Sequence, residues 1–202
     1  IYVTGNTAID ALNTTVMEKY THSELEWAKD SRLVIITAHR RENIGEPMRN
    51  MFRAIRKVMD ENPDVKVIYP IHYNPVVRKI AEEELGSEEK MHIIEPLDVC
   101  DFHNFLSKAY IILTDSGGIQ EEAPSLGKPI LVMRDVTERM EGIEAGTAKL
   151  VGTDENRIYE AFSELLHDKE KYEEMARAVN PYGDGNASKK IVDILIKEFL
   201  NS

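Results

Sequence analysis

The sequence predicts an α/β fold in which a parallel, Rossmann-like sheet is covered by helices on both faces. Short apolar runs alternate with longer amphipathic segments about six times along the chain, which is typical of βα units. The runs are rich in β-branched residues, as in Leu-Val-Ile-Ile-Thr at 33–37, which indicates strands buried on both faces. The first βα turn lacks the Gly-x-Gly-x-x-Gly fingerprint, so a nicotinamide cofactor is not expected.

The individual elements can be placed by hydrophobic periodicity and turn residues. Gly5-Asn6-Thr7 opens a first helix. Strands are predicted at 33–37, 65–69, 91–94, 110–114, 130–133 and within 145–152. Further helices are predicted at 47–60, at 76–85, around Phe102, Phe105 and Leu106, from Asp154 to His167, at 169–179 and at 187–200. Phe105 and Leu106 are expected in the core.

The composition narrows the classes of function. The 202 residues carry 36 acids against 25 bases, a formal net charge of −11, which argues against a general binder of nucleic acids or membrane surfaces. Cys100 is the single cysteine, so an internal disulfide and a thiolate metal cluster are excluded. No apolar run approaches membrane-spanning length. An anionic ligand would therefore need local positive groups.

The stretch at 114–129, between the fourth and fifth predicted strands, carries a candidate anion site. Ser116 can cap a short helix there, its side-chain oxygen accepting a backbone N–H of the first turn. Gly117 and Gly118 lack a Cβ, so another molecule can approach the backbone, and the N–H groups of a helix start attract phosphate. A carboxylate such as Glu122 can accept hydrogen bonds from sugar hydroxyls. By itself, the stretch also fits an ordinary βα turn that binds nothing.

A basic cluster follows the first predicted strand, and a single histidine follows the second. His39, Arg40 and Arg41 come directly after the first strand, and His72 follows the second. Ligands of open α/β sheets bind at the carboxyl ends of strands. His39 can carry a proton near neutral pH, and the arginines offer paired donors to phosphate or carboxylate. From these residues alone, a solvated charged loop and a capping histidine fit as well.

Strings of residues along nearly the whole chain resemble the non-hydrolysing UDP-N-acetylglucosamine 2-epimerases. The longest runs from Asp115 through Ser-Gly-Gly-Ile-Gln-Glu-Glu-Ala-Pro-Ser-Leu-Gly-Lys to Pro129. The others are His-Arg-Arg-Glu-Asn at 39–43, His-x-Asn-Pro at 72–75, and the segments 3–12, 134–139 and 180–185. The resemblance implies one half of a GT-B-type enzyme, whose two Rossmann-like domains face each other across a cleft. This chain would be the C-terminal half.

The same resemblance implies a division of the chain into domains. Residues 1–30 are expected to form an interdomain linker and helix, 31–186 the UDP-binding Rossmann-like domain, and 187–202 a C-terminal helix. The sequence begins Ile-Tyr-Val with neither methionine nor a signal-peptide pattern. We therefore expect a further segment upstream.

The resemblance also implies roles for individual residues. His39 matches an active-site histidine, and the expected substrate contacts are Arg40, Phe102 at the uracil ring, Ser116, Gly117 and Gly118 at the diphosphate, Glu122 at the ribose hydroxyls, and Arg139. Arg40 and His72 match positions that contact a second, regulatory UDP-N-acetylglucosamine in bacterial members. Judged from its neighbours, Arg139 can also be an exposed arginine paired with Glu138 or Glu141. Met140 stands where the family usually has proline.

The implied reaction interconverts UDP-N-acetylglucosamine and UDP-N-acetylmannosamine through elimination and re-addition of UDP. In the family the essential carboxylates lie in the N-terminal half, so we expect this chain alone to bind UDP weakly without turnover. No cofactor or metal is implied. The expected partners are UDP and UDP-N-acetylhexosamine, and the full-length protein is expected to be a cytoplasmic homodimer of polysaccharide biosynthesis. Two alternatives stay open: the donor-binding domain of a GT-B glycosyltransferase and a non-catalytic nucleotide-sugar sensor.

Overall fold

The computed structural model of the chain describes residues 1–86 and 88–200 and contains a six-stranded sheet. All paired strands are parallel, in the order β3-β2-β1-β4-β5-β6. The strands are β1 (Arg32–Thr37), β2 (Val65–Pro70), β3 (Met91–Ile94), β4 (Ile111–Thr114), β5 (Ile130–Val132) and β6 (Ala148–Leu150). The predicted parallel sheet is therefore confirmed, with strand bounds within a few residues of those expected.

Helices connect the strands, as the alternation predicted. They are α1 (Thr7–Thr15), α2 (Ser23–Trp27), α3 (Glu46–Glu61), α4 (Pro75–Leu85), α5 (Val99–Lys108), α6 (Gly117–Glu122), α7 (Met140–Glu144), α8 (Glu155–His167), α9 (Lys169–Arg177) and α10 (Ala187–Leu195). A π-helical turn, Ile196–Leu200, continues α10. Residues 201 and 202 of the predicted C-terminal helix lie outside the described residues. Within the described part of the chain, no helix has the length and apolar character needed to cross a bilayer.

The sheet is covered on both faces because its strands are apolar on both faces. Val34 and Ile36 of β1 belong to a cluster formed with α3, α4 and α8. Leu33 and Ile35 point the other way, since successive strand residues alternate, and pack with the face that carries α2, α5 and α6. Phe105 and Leu106 of α5 are fully buried on this face, as predicted. The two layers fix the ends of β1 and β4 between them.

The strand order reverses between β1 and β4. Thr37 and Thr114 end these strands as paired residues, and their buried hydroxyl oxygens lie 2.6 Å apart. The segment beginning at His39 therefore lies beside the segment beginning at Asp115. This reversal is the topological switch point at which open α/β sheets bind ligands.

Candidate functional site

A cavity of about 460 Å³ lies at the switch point. One wall is apolar and includes Pro96, Leu97 and Phe102, whereas His39 and Glu122 face it from other elements. The complete lining is Thr37, His39, Pro70, His72, Tyr73, Pro96, Leu97, Phe102, Ser116, Gly118, Ile119 and Glu122. A second cavity, of about 450 Å³, lies between β6 and α9 and contains none of the predicted site residues. Of these two cavities, the first combines apolar side chains with the polar groups that the sequence singled out.

His39 is oriented by a buried carboxylate, Asp115, which follows β4. Asp115 Oδ2 accepts the backbone N–H groups of His39 at 2.9 Å and Arg40 at 2.8 Å, and the side-chain amide of Asn43 at 3.2 Å. Its Oδ1 lies 3.6 Å from His39 Nδ1 and has no hydrogen-bond partner among the described residues. Because buried polar atoms are normally paired, this oxygen is available to a protonated Nδ1. No role for Asp115 was predicted from the sequence.

His72 contacts His39, and Arg40 contacts Asp115. The His72 ring stacks on the His39 ring, with centroids 5.3 Å apart and an angle of 11° between the planes. Arg40 Nε donates to the backbone carbonyl of Asp115 at 3.2 Å. The two residues of the predicted regulatory pair are therefore both neighbours of His39.

Helix α6 begins at Gly117, with Ser116 at the N-cap position. The prediction that the Ser116 side chain caps this helix is wrong, since it makes no capping hydrogen bond. Instead the Ser116 backbone N–H donates to Thr114 Oγ1 at 2.9 Å, and the Ser116 carbonyl accepts from Gln120 Nε2 at 3.0 Å. Neighbouring side chains thus pair both backbone groups of Ser116, and Ser116 lines the cavity together with Gly118.

Glu122, at the end of α6, faces a histidine that the sequence did not mark as a site residue. Its Oε2 lies 3.5 Å from Nε2 of the buried His103, whose Nδ1 is 2.7 Å from Thr15 Oγ1 in α1. Burial, and then the charge of Glu121, raises the pKa of Glu122, and burial lowers the pKa of His103. His103 directly follows Phe102 in an ordinary helical pattern, so no local signal marked it.

Arg139 is paired with acids on two sides. It contacts Glu138 at 3.7 Å, one of the partners expected for an exposed arginine, and it also donates to the buried Glu121, which was not expected. Glu121 in turn accepts from the Asn6 side chain. A Cβ built on Gly117 would lie 3.8 Å from Arg139 Nη2. The structure therefore brings Arg139 to the start of α6, where the sequence predicted a counter-charge.

The comparisons with known proteins identify the family. The family model described as UDP-N-acetylglucosamine 2-epimerase matches residues 1–196. The chain belongs to this family. A UDP-N-acetylglucosamine 2-epimerase of Bacillus subtilis strain 168 is 59% identical over 196 residues, which are 97% of this chain and 52% of the relative.

Solved structures agree with this assignment. S. aureus MnaA, in a co-structure with UDP, matches 98% of this chain and 54% of its own at 55% identity, with a TM-score of 0.94. The UDP-GlcNAc 2-epimerase of Neisseria meningitidis, bound to UDP-GlcNAc, matches 96% of this chain and 55% of its own at 47% identity, with a TM-score of 0.87. The chain thus spans about half the length of the relatives it matches. The family match favours the epimerases over the glycosyltransferases that were left open.

Proposed function

We propose that this chain is the nucleotide-binding half of a UDP-N-acetylglucosamine 2-epimerase and that its cavity at the switch point binds UDP. The observation that carries the proposal is that the residues expected at the nucleotide surround this one cavity or the start of α6. Phe102 forms the apolar wall for the uracil ring, and Glu122 faces the ribose hydroxyls. Ser116, Gly117 and Gly118 take the diphosphate. The proposed domain division is 1–30, 31–186 and 187–202.

The proposed reaction removes UDP from the substrate and adds it back to the opposite face of the sugar. The departing diphosphate gains negative charge, which preorganised positive groups stabilise. Arg139, Arg40 and His39, oriented by Asp115, would supply these groups from this half. Removal of the proton at C2 needs carboxylates, which the family resemblance places in the other half. By the same resemblance, we propose that the full-length protein is a cytoplasmic homodimer whose UDP-N-acetylhexosamine substrate spans both halves.

Calorimetric titration of the chain with UDP tests the binding proposal. Ser116→Ala and Glu122→Ala should each weaken binding by about tenfold, since each removes a hydrogen bond to a charged or polar ligand group. Glu144→Ala, an exposed acid in α7, is the control for the change in charge and should bind as the parent does. Unchanged affinity in both site variants would place the nucleotide elsewhere.

A turnover assay separates the enzyme from the non-catalytic sensor. The chain alone should release no UDP-N-acetylmannosamine from UDP-N-acetylglucosamine. The same chain fused behind the N-terminal half of the Bacillus subtilis relative should epimerise, and His39→Ala should abolish that activity. Epimerisation by the isolated chain would contradict the proposed division of labour. If the fusion without substitutions bound UDP but did not epimerise UDP-N-acetylglucosamine, the sensor would be favoured.

A further inference from the structure

Three guanidinium groups converge on one carboxylate beside the start of α6. Arg134 Nη1 donates to Glu138 Oε2 at 2.8 Å, Arg139 Nη1 lies 3.7 Å from Glu138 Oε1, and Arg40 Nη2 lies 3.8 Å from the same oxygen. We call Arg40, Arg134 and Arg139 the arginine cluster. They come from two segments that follow β1 and β5, and Glu138 is the acid that contacts all of them.

The Glu138 carboxylate also covers Gly117. A Cβ built on Gly117 would meet Glu138 Oε1 at 2.9 Å, with Arg40 Nη2 and Arg139 Nη2 the next nearest atoms, at 3.6 and 3.8 Å. A ligand phosphate that approaches the Gly117 backbone and the arginine cluster needs the same space. The carboxylate and such a phosphate therefore exclude each other.

We propose that Glu138 competes with the ligand diphosphate for the arginine cluster and must move away when the diphosphate binds. Glu138 thereby sets the affinity and selectivity of the arginine cluster for anions. This inference rests on the proposed function, because it takes the nucleotide diphosphate as the ligand of the cluster. A diphosphate carries more negative charge than one carboxylate and offers more acceptor oxygens. It can displace Glu138, whereas anions with a single charge are held off.

The contacts of Glu138 suit a group that is displaced. Its side chain is 45% exposed, and only the bond to Arg134 is short. The longer pairs with Arg40 and Arg139 are partly exposed on both sides, and such pairs are individually weak. The Arg134 side chain is only 9% exposed, so its short bond is the strongest contact that the diphosphate must replace. Arg134 keeps a second acid when Glu138 moves, because its Nη2 lies 2.9 Å from Glu42. Hydrogen bonding to its own backbone N–H, and then Arg134, lowers the pKa of Glu138, so the competitor is charged at neutral pH.

The test compares Glu138→Gln with Glu144→Gln, which removes the same charge from an exposed position in α7. UDP, pyrophosphate and uridine are titrated into each protein by calorimetry. Glu138→Gln should tighten UDP and pyrophosphate by about three- to tenfold, the effect of removing a few weak pairings. Uridine has no phosphate and should bind both variants as it binds the parent. Pyrophosphate should also raise the melting temperature of Glu138→Gln more than that of the parent.

These titrations test the role of Glu138 separately from the proposed binding of UDP in the cavity. Equal gains in Glu138→Gln and Glu144→Gln would overturn it, because net charge alone would explain them. Weaker UDP binding by Glu138→Gln would overturn it as well, since Glu138 would then be ordering the arginines for the ligand. Absence of any pyrophosphate effect in either protein would show that the cluster binds no anion. Uridine binding reports on the proposed nucleotide cavity in every case, whatever Glu138 does.

Discussion

Two buried carboxylates support the charged side chains of the site. Asp115 is fully buried beneath His39, and Glu121 is 9% exposed beneath Arg139. Burial of a carboxylate is costly unless hydrogen-bond donors surround it. Asp115 meets this need with two backbone N–H groups and one amide, so the same bonds that offset its burial also fix the loop that carries His39.

Replacement of Asp115 should therefore destabilise the protein. Asp115→Ala leaves three N–H donors without their acceptor and should lower the free energy of unfolding by about 2–4 kcal/mol in urea denaturation. Asp115→Asn keeps an acceptor oxygen and should lose less. Asp60→Ala, at an exposed position in α3, should stay within about 0.5 kcal/mol of the parent. Equal stability of Asp115→Ala and the parent would contradict the role given to this carboxylate.

Helix α6 is short, and its glycines determine how closely a ligand can approach its backbone. Gly118 has an ordinary helical conformation, and a Cβ there would meet no atom closer than Glu122 Oε1 at 3.7 Å. Protein packing therefore does not require glycine at this position. Gly142 of α7 differs, because a Cβ there would meet Tyr182 Oη at 3.1 Å and Thr147 Oγ1 at 3.3 Å.

Gly118→Ala should separate stability from binding. The substitution should leave the free energy of unfolding unchanged or raise it by up to about 1 kcal/mol, because alanine favours the helix over glycine. It should weaken UDP binding by about tenfold, since the methyl group takes the space proposed for the diphosphate. Gly142→Ala should do the opposite: it should lower the free energy of unfolding and leave UDP affinity as in the parent. Parental UDP affinity in Gly118→Ala would place the diphosphate away from α6.

Local patterns predicted the elements but not the contacts between them. The strands and long helices follow from periodicity, which each segment carries by itself. The pairs Asp115–His39 and Glu122–His103 depend instead on which elements are neighbours in space, and the strand order that sets this was not predictable from alternation alone. The Ser116 cap failed because a propensity rule names the residue at the N-cap position but not the direction of its side chain, and here that side chain makes no capping hydrogen bond.

Helix α1, near the start of the chain, caps helix α10 near its end. Asp10 in α1 accepts the backbone N–H groups of Ala187 at 2.9 Å and Ser188 at 2.6 Å, at the start of α10. The N-cap residue of α10, Asn186, makes no side-chain capping bond. Helix α1 also packs against α5 and α6, which carry Phe102 and Glu122. The first helix thus links the start of α10 to two of the helices that line the cavity at the switch point.

Removal of the Asp10 carboxylate should loosen α10 without unfolding the sheet. In Asp10→Ala, the amides at the start of α10 lose their acceptor and should exchange with solvent several-fold faster, as hydrogen-exchange mass spectrometry can measure. The backbone N–H of Ser188 lowers the pKa of Asp10. The stabilisation of α10 by the Asp10 carboxylate is therefore present above the unfolded pKa of an aspartate, about 4. It is lost as the pH falls through the lowered folded value. The first-turn amides of α10 should therefore exchange faster in Asp10→Ala than in the parent at neutral pH, and this difference should disappear in acid. Asp193→Ala removes the same charge from an exposed position within α10 and should leave the first turn of α10 protected from exchange. Equal loss of protection in both variants would show that net charge, and not the hydrogen bonds from α10 to Asp10, stabilises the helix.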